Sequence, residues 1–186
     1  MAGNAEGREV LLVVGCGRHV WRDVEDFSAF GVPCHAALIN DMILHFPVLG
    51  GMEVRHLVCI DHGDVEHFAA VRRHNLSRHL ERWTTHSGKG PCDCVWAFDN
   101  IDVYQSGAFA ACIGLALGYD RIVLAGCPQD SGGHYYDPEW AETEHYSSRT
   151  FESQWSGNAH IWQGRVRSLS GLTKKILGGP TSEWLG

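Results

Sequence analysis

The chain has 186 residues, enough for one well-buried domain and few for two, and 44% of them are hydrophobic against 20% charged. This balance argues against a disordered chain, and no stretch reaches the roughly 18 apolar residues of a membrane-spanning helix. A net charge of −7 argues against general nucleic-acid binding, which depends on attraction to phosphate.

The cysteines and the first residues indicate where the protein works. The chain has seven cysteines, most of them inside apolar runs, as expected for reduced, buried thiols. No basic segment followed by an apolar one opens the chain, so a secretory signal is not expected. We therefore expect a cytoplasmic protein with no membrane association.

Short apolar, β-branched runs alternate with segments of helical spacing along the chain. Such runs are typical of buried parallel strands, and the alternation predicts an α/β domain with a mostly parallel sheet. Five strands are predicted, namely Val10–Val14, Ala36–Ile39, Arg55–Ile60, Cys94–Phe98 and Ile122–Ala125. We expect one domain over residues 1–186, with a core at about 10–134 and an irregular, aromatic-rich segment at 135–186 that acts as a lid or an interface.

Two glycines follow the first strand, at Gly15 and Gly17. A G-x-G turn lets the backbone approach a phosphate closely, although such a turn is also common without a ligand. Position 20 is Val20, so the third glycine of the dinucleotide fingerprint is missing.

The stretch from Gln105 to Asp130 is the most informative part of the chain. Ser106 and Gly107 can begin a helix whose backbone amides face a phosphate, or they can form an ordinary N-cap. Small and apolar residues continue that helix, and Gly118 ends it before the strand Ile122–Ala125. Ligands of α/β proteins usually bind at the carboxyl ends of such strands.

Polar residues follow two other strands, at Asn40 and at Asp61. Either residue can hold ribose hydroxyls at the edge of the sheet, or cap the helix that comes next. Beyond the fifth strand, Asp130 and His134 form a possible acid–base pair, because a carboxylate can orient an imidazole. A spacing of four in a glycine-rich loop is equally compatible with an ordinary surface loop.

Three further groups of residues leave alternatives open. Cys92 and Cys94 with His86 have poor spacing for structural zinc, and no metal is expected. A predicted helix carries four arginines (72, 73, 78 and 82), which either form a solvated face or clamp a phosphate. Aromatic residues beyond position 134 either stack on a base or sugar or pack a lid on the core.

Two motifs together resemble a known group of enzymes. The Gly15-Cys16-Gly17 turn is similar to that of bacterial sialyltransferases that use CMP-sialic acid and of pterin diphosphokinases of the MptE type. The Ser106-Gly107 start, the Leu117-Gly118-Tyr119 end and Gly126 resemble their signature around the second motif. The length and ending also resemble small phage and prophage proteins.

The resemblance implies a Rossmann-like, three-layer fold that binds a nucleotide or nucleotide sugar as substrate, with no resident cofactor. It implies that backbone amides at Gly15, Gly17, Ser106 and Gly107 hold the nucleotide, with Asn40 nearby. A histidine beyond the last core strand is the base in the sialyltransferases, and His134 is the nearest candidate here.

Three functions remain open at this stage. The first is a metal-independent, glycosyltransferase-like enzyme that uses a nucleotide donor. The second is a non-catalytic nucleotide-binding or assembly protein of a phage, with a homo-oligomer or another phage protein as partner, in the host cytoplasm. The third is a pterin-type diphosphokinase, which would need ATP and a magnesium site of paired carboxylates.

Overall fold

A computed structural model describes residues 9–46, 52–60, 64–76, 82–90, 92–98, 103, 105–130, 132–139 and 149–186. Within these residues, the strands are β1 (Val10–Val14), β2 (Cys34–Ile39), β3 (Met52–Cys59), β4 (Thr84–Ser87), β5 (Cys94–Val95), β6 (Arg121–Ala125) and β7 (Val166–Ser168). They form one sheet in the order β5-β4-β3-β2-β1-β6-β7, and all neighbouring pairs are parallel.

Helices connect the strands. In the described part of the chain they are α1 (Val20–Ser28), α2 (Met42–His45), α3 (Asp64–Leu76), α4 (Ser106–Ala116), α5 (Arg149–Gly157), α6 (Ala159–Trp162), α7 (Gly171–Leu177) and α8 (Ser182–Leu185). No helix of these residues is long and apolar enough to span a bilayer.

The core lies on both faces of the sheet, because side chains of a strand alternate between faces. Leu12 of β1 shares a buried cluster with Phe27 of α1. Its neighbour Leu11 belongs to a second cluster, with Ile113 of α4. The fold is therefore the predicted α/β, Rossmann-like arrangement of a parallel sheet between two helical layers.

Two strands were not predicted, and one is shorter than expected. β4 has the sequence TTHS, which lacks an apolar run, and β7 has only three residues at the sheet edge. The strand expected at Cys94–Phe98 pairs only over Cys94–Val95.

The C-terminal part contains regular elements as well as loop. From Arg149 onward it contributes α5 to α8 and the edge strand β7. Trp155 and Trp162 are fully buried with ring centroids 5.1 Å apart, in the cluster that includes α4. These two aromatic residues pack on the core, whereas Trp140 and Tyr146 lie outside the described residues.

A chain of hydrogen bonds runs across strands β2, β3 and β4 and includes Tyr119, which follows α4. The indole Nε1 of Trp96 donates to Nδ1 of His86 at 2.9 Å, and Nε2 of His86 lies 3.0 Å from Nδ1 of His56. The hydroxyl of Tyr119 joins Nε2 of His56 at 2.9 Å to Nδ1 of His35 at 2.8 Å.

The indole fixes the direction of this chain, because Trp can only donate. Neutral His86 must then carry its proton on Nε2 and donate to His56. His56 in turn donates to Tyr119, and Tyr119 donates to His35. Both ring nitrogens of His86 are thereby used in hydrogen bonds.

Candidate ligand cleft

A cleft of about 230 Å³ opens at the carboxyl edge of the sheet. The chain runs from β1 outward through β2 to β5, and α4 then returns it to β6 on the other side of β1. Ligands of open α/β sheets bind in the crevice at such a reversal of strand order.

Most of the predicted site residues line this cleft. The structure brings together Gly15, Gly17, Asn40, Ser106, Gly107, Asp130 and His134. Asp61, the remaining predicted residue, lies outside the described residues. The sequence therefore located the cleft, although the contacts correct the expected roles of several members.

The amides of the two first-turn glycines are already occupied. Gly15 N–H donates to the carbonyl of Ala125 at 2.9 Å, and Gly17 N–H donates to that of Gly126 at 2.8 Å. A Cβ on either glycine would lie within 2.8 Å of the Gly126 carbonyl oxygen. These glycines let the loops after β1 and β6 pack closely, so the expectation that their amides hold phosphate is wrong.

The amino end of α4 is the better anion site. The N-cap residue is Gln105 rather than Ser106, and its side chain makes no capping hydrogen bond. A helix start without a cap leaves amide donors and a partial positive charge. The Ser106 hydroxyl instead donates to Oδ1 of Asn40 at 3.1 Å, so two separately predicted residues are in contact.

Gln105 adds a donor that the sequence did not single out. The residue is 7% exposed, and its Oε1 accepts a 3.0 Å hydrogen bond from Nε1 of Trp155. Because indole only donates, this bond fixes the amide orientation. The buried Nε2 has no partner in the described part of the chain, and an unmade buried hydrogen bond is costly.

Two residues of the cleft hold backbone angles that are unusual for a side chain. Asn40 has φ of 51° and Gln129 has φ of 55°. Asn adopts this left-handed region more readily than most residues, whereas Gln adopts it rarely. The buried Oε1 of Gln129 also lacks a partner within the described residues. Strain and an unmade hydrogen bond at one position are typical of ligand sites.

His134 is paired with Asp137 and not with Asp130. Nδ1 of His134 lies 3.1 Å from Oδ2 of Asp137, which also accepts the His134 backbone amide at 2.7 Å. That backbone amide, with smaller help from the imidazole, holds the pKa of Asp137 below its usual range. Asp130 instead accepts the Gly132 amide at 3.0 Å and shapes its own turn. The predicted pairing of His134 with Asp130 is therefore wrong, because the carboxylate that contacts the imidazole is that of Asp137.

The cysteines of the cleft are not nucleophiles. Burial raises the pKa of the Cys16 thiol to about 12, with the carboxylate of Asp41 adding to the effect. Burial also raises the pKa of Cys127 far above its ordinary value. Because the thiolate is the reactive form, both side chains stay inert near neutral pH.

A buried carboxylate supports the loop after β6. Asp23 of α1 is 2% exposed, and its Oδ2 accepts from the Gly126 amide at 2.8 Å and the Ser170 hydroxyl at 2.6 Å. Burial raises the pKa of Asp23 above its usual value, in opposition to these two hydrogen bonds. Asp23 thus fixes the turn that accepts the Gly17 amide.

The arginine-bearing helix α3 is not a simple charged face. Arg72 is 1% exposed and donates to the carbonyls of Ile43 and Phe46 at 2.9 and 3.0 Å. It therefore joins α3 to α2. Neither predicted role, a solvated face or a phosphate clamp, applies to this residue.

Among the described residues, no group of three or more His, Cys, Asp or Glu side chains is arranged to hold a metal ion. Comparisons with protein-family models, with curated proteins and with solved structures gave no match for this chain.

Proposed function

We propose that the protein binds a nucleotide-type phosphate ligand in this cleft and transfers a group from it to a hydroxyl acceptor, as a glycosyltransferase does. The observation that carries the proposal is one of placement. The uncapped amino end of α4 and Gln105, whose buried Nε2 has no partner among the described residues, line one cleft with His134, and the imidazole of His134 is paired with Asp137.

The phosphate would sit at the α4 end of the cleft. Amides at a helix start and a neutral amide donor stabilise negative charge without a cation. Ser106, held by Asn40, keeps the helix start next to the loop after β2. The proposal therefore requires no bound metal.

His134 would act as the general base. With Nδ1–H donating to Asp137, the proton-accepting lone pair lies on Nε2. Nε2 takes the proton of the acceptor hydroxyl while the oxygen of that hydroxyl forms a bond to the donor carbon. The bond from that carbon to the phosphate oxygen breaks, and the nucleotide leaves with the electron pair, stabilised by the α4 amides.

Ligand-dependent stability tests the binding step. Thermal unfolding is measured with nucleoside mono- and diphosphates and nucleotide sugars, with and without magnesium. A ligand at a hundred times its dissociation constant adds about 2.7 kcal/mol to the folded state. A shift that is independent of magnesium supports the proposal. The proposal is contradicted if the unfolding temperature shifts only with ATP and magnesium, or if no nucleotide shifts it.

Mass-spectrometric detection of released nucleotide tests the transfer step. His134→Ala should lower release by about 10²–10⁴-fold without loss of nucleotide binding. Full turnover in this variant would remove His134 from the reaction. Binding without release across the donor panel would favour a non-catalytic nucleotide-binding protein.

A further inference from the structure

Four aromatic side chains form a surface beside the cleft, which we name the aromatic rim: Trp21, His45, Tyr135 and Tyr136. Tyr135 is central, with ring centroids 5.4 Å from Trp21, 5.9 Å from His45 and 5.1 Å from Tyr136. Trp21 is 37% exposed and Tyr136 is 46% exposed. Of the four exposed large apolar side chains in the described residues, two thus lie in this rim, and the others are Val95 and Leu117.

The rim is joined to the candidate base. The ring of Tyr136 stacks on the imidazole of His134, with centroids 5.0 Å apart and planes within 9°. The Tyr136 hydroxyl donates to Oδ2 of Asp41 at 2.7 Å. Both His134 and Asp41 line the cleft, so the ring is held in a fixed orientation at its border.

The two ends of the cleft differ in hydrogen-bonding character. The α4 end has hydrogen-bond donors, namely the helix amides and the buried Nε2 of Gln105. At the rim end the carboxylate of Asp41 lines the cleft, and the carboxylate of Asp137 accepts from His134. Arg18 donates through its guanidinium to the backbone carbonyls of Gly132 and Pro138.

This distribution selects the class of molecule at the rim. Carboxylates repel phosphate and accept hydrogen bonds from hydroxyl groups. The negative face of an aromatic ring attracts the polarised C–H groups of a saturated ring. Rings and carboxylates together therefore suit an uncharged polyhydroxylated ring better than a second nucleotide.

We propose that the aromatic rim is the acceptor subsite and takes a neutral carbohydrate, whose C–H face packs on Tyr136 and Trp21. One sugar hydroxyl then reaches His134, and others donate to Asp41. Transfer to that hydroxyl rests on the proposed function, whereas sugar binding at the rim is a separate property of the surface.

Saturation-transfer NMR on the full chain tests the subsite without any reaction. The probes are neutral methyl glycosides of glucose, galactose, mannose and N-acetylglucosamine, together with maltose, lactose and cellobiose. We expect at least one probe to bind, with saturation strongest on protons of one sugar face. Tyr136→Ala and Trp21→Ala should weaken its affinity about tenfold, and Tyr136→Phe, which keeps the ring, should weaken it less.

Leu117→Ala is the matched control, because Leu117 is an exposed apolar residue at the other end of α4. It should leave sugar affinity unchanged. Nucleotide affinity, measured in the same proteins, should be unchanged in all four variants. Melting temperatures show that each variant is folded.

Three results would overturn the inference. The first is the absence of saturation transfer to any glycoside of the panel, and the second is sugar binding that survives loss of both rings. The third is loss of nucleotide affinity in Tyr136→Ala, which would assign the rim to a nucleobase. Because sugar binding is measured without nucleotide, a failure of the proposed function leaves a different pattern, in which glycosides bind and nucleotides do not.

Discussion

One oxygen of Asp137 accepts both the backbone amide and the imidazole of His134, at 2.7 and 3.1 Å. The two side chains are about a quarter exposed, at 27% and 22%, so solvent can reach the pair. A double contact to one residue fixes the ring more firmly than a single side-chain contact does. It also selects the tautomer that carries its proton on Nδ1.

Removal of the Asp137 carboxylate should release this tautomer. In Asp137→Ala we expect the His134 ring to redistribute its proton toward Nε2, and group transfer to fall toward the level of His134→Ala. Nitrogen NMR of the imidazole measures the tautomer independently of activity. Glu139→Gln, a change at an exposed acid two residues away, should alter neither property. An unchanged tautomer in Asp137→Ala would refute the positioning role.

The bond between Gln105 and Trp155 gives a second prediction. Trp155→Phe leaves Oε1 of Gln105 without its donor, and the amide is then free to reorient. We expect unfolding free energy to fall by about 1–3 kcal/mol and nucleotide affinity to fall as well. Calorimetric titration and urea unfolding measure the two quantities.

Trp162→Phe is the matched control for that change. Its indole is also buried and donates to the backbone carbonyl of Trp155 at 3.0 Å. It should lower stability by a similar amount while nucleotide affinity stays the same. Equal loss of affinity in both variants would mean that Gln105 does not bind the ligand.

The sheet could be predicted where strands are apolar on both faces. Val10–Val14 and Ile122–Ala125 are runs of this kind, and both are interior strands with a neighbour on each side. β4 escaped prediction because its side chains are polar. Their hydrogen-bonding groups find partners inside the fold: the amide and the hydroxyl of Thr85, for example, donate to Oδ2 of Asp93. No local sequence pattern reveals such contacts.

The cleft could be located from the sequence, but its hydrogen bonds could not. Strand ends and the start of a helix indicate one edge of the sheet, and Asn40, Ser106 and His134, which were predicted in this way, line the cleft. Which acid meets His134 depends on the path of the loop, and the loop brings Asp137 to the imidazole. Gln105 becomes significant only through Trp155, fifty residues later, and no sequence pattern connects them.

Close packing at the first turn makes a third prediction. Gly15→Ala and Gly17→Ala each place a methyl group against the Gly126 carbonyl, and Gly15→Ala also meets Sγ of Cys127 at 2.8 Å. We expect each to lower unfolding free energy by about 1–3 kcal/mol, as overpacking does. Urea unfolding measures this loss. Gly157→Ala, where the added Cβ meets nothing within 4 Å, should cause none. Full stability in both first-turn variants would show that the glycines are kept for another reason.

The histidine chain makes the fold sensitive to acid. Burial lowers the pKa of both His56 and His86 to about 4. Repulsion by His86, His35 and Arg55 also lowers the pKa of His56. The carboxylate of Asp93 acts in the opposite direction on His86. The folded state thus favours neutral imidazoles, and an extra proton on His86 would set two N–H groups of His86 and Trp96 against each other. This stabilisation is complete above the ordinary pKa of 6.5 and is lost as pH falls from 6.5 toward 4.

Because both imidazoles take up protons more readily in the unfolded chain than in the folded one, the unfolding free energy should fall as the pH drops from 6.5 to 4. Urea unfolding at constant ionic strength measures the slope, and NMR titration should show both rings neutral at pH 5.5. His86→Gln keeps a donor and an acceptor but cannot titrate, so it should flatten the slope. Only neutral rings satisfy every hydrogen bond from Trp96 to His35. Protonation of His56 or His86 near pH 6.5 would therefore show that this series of hydrogen bonds does not form in solution.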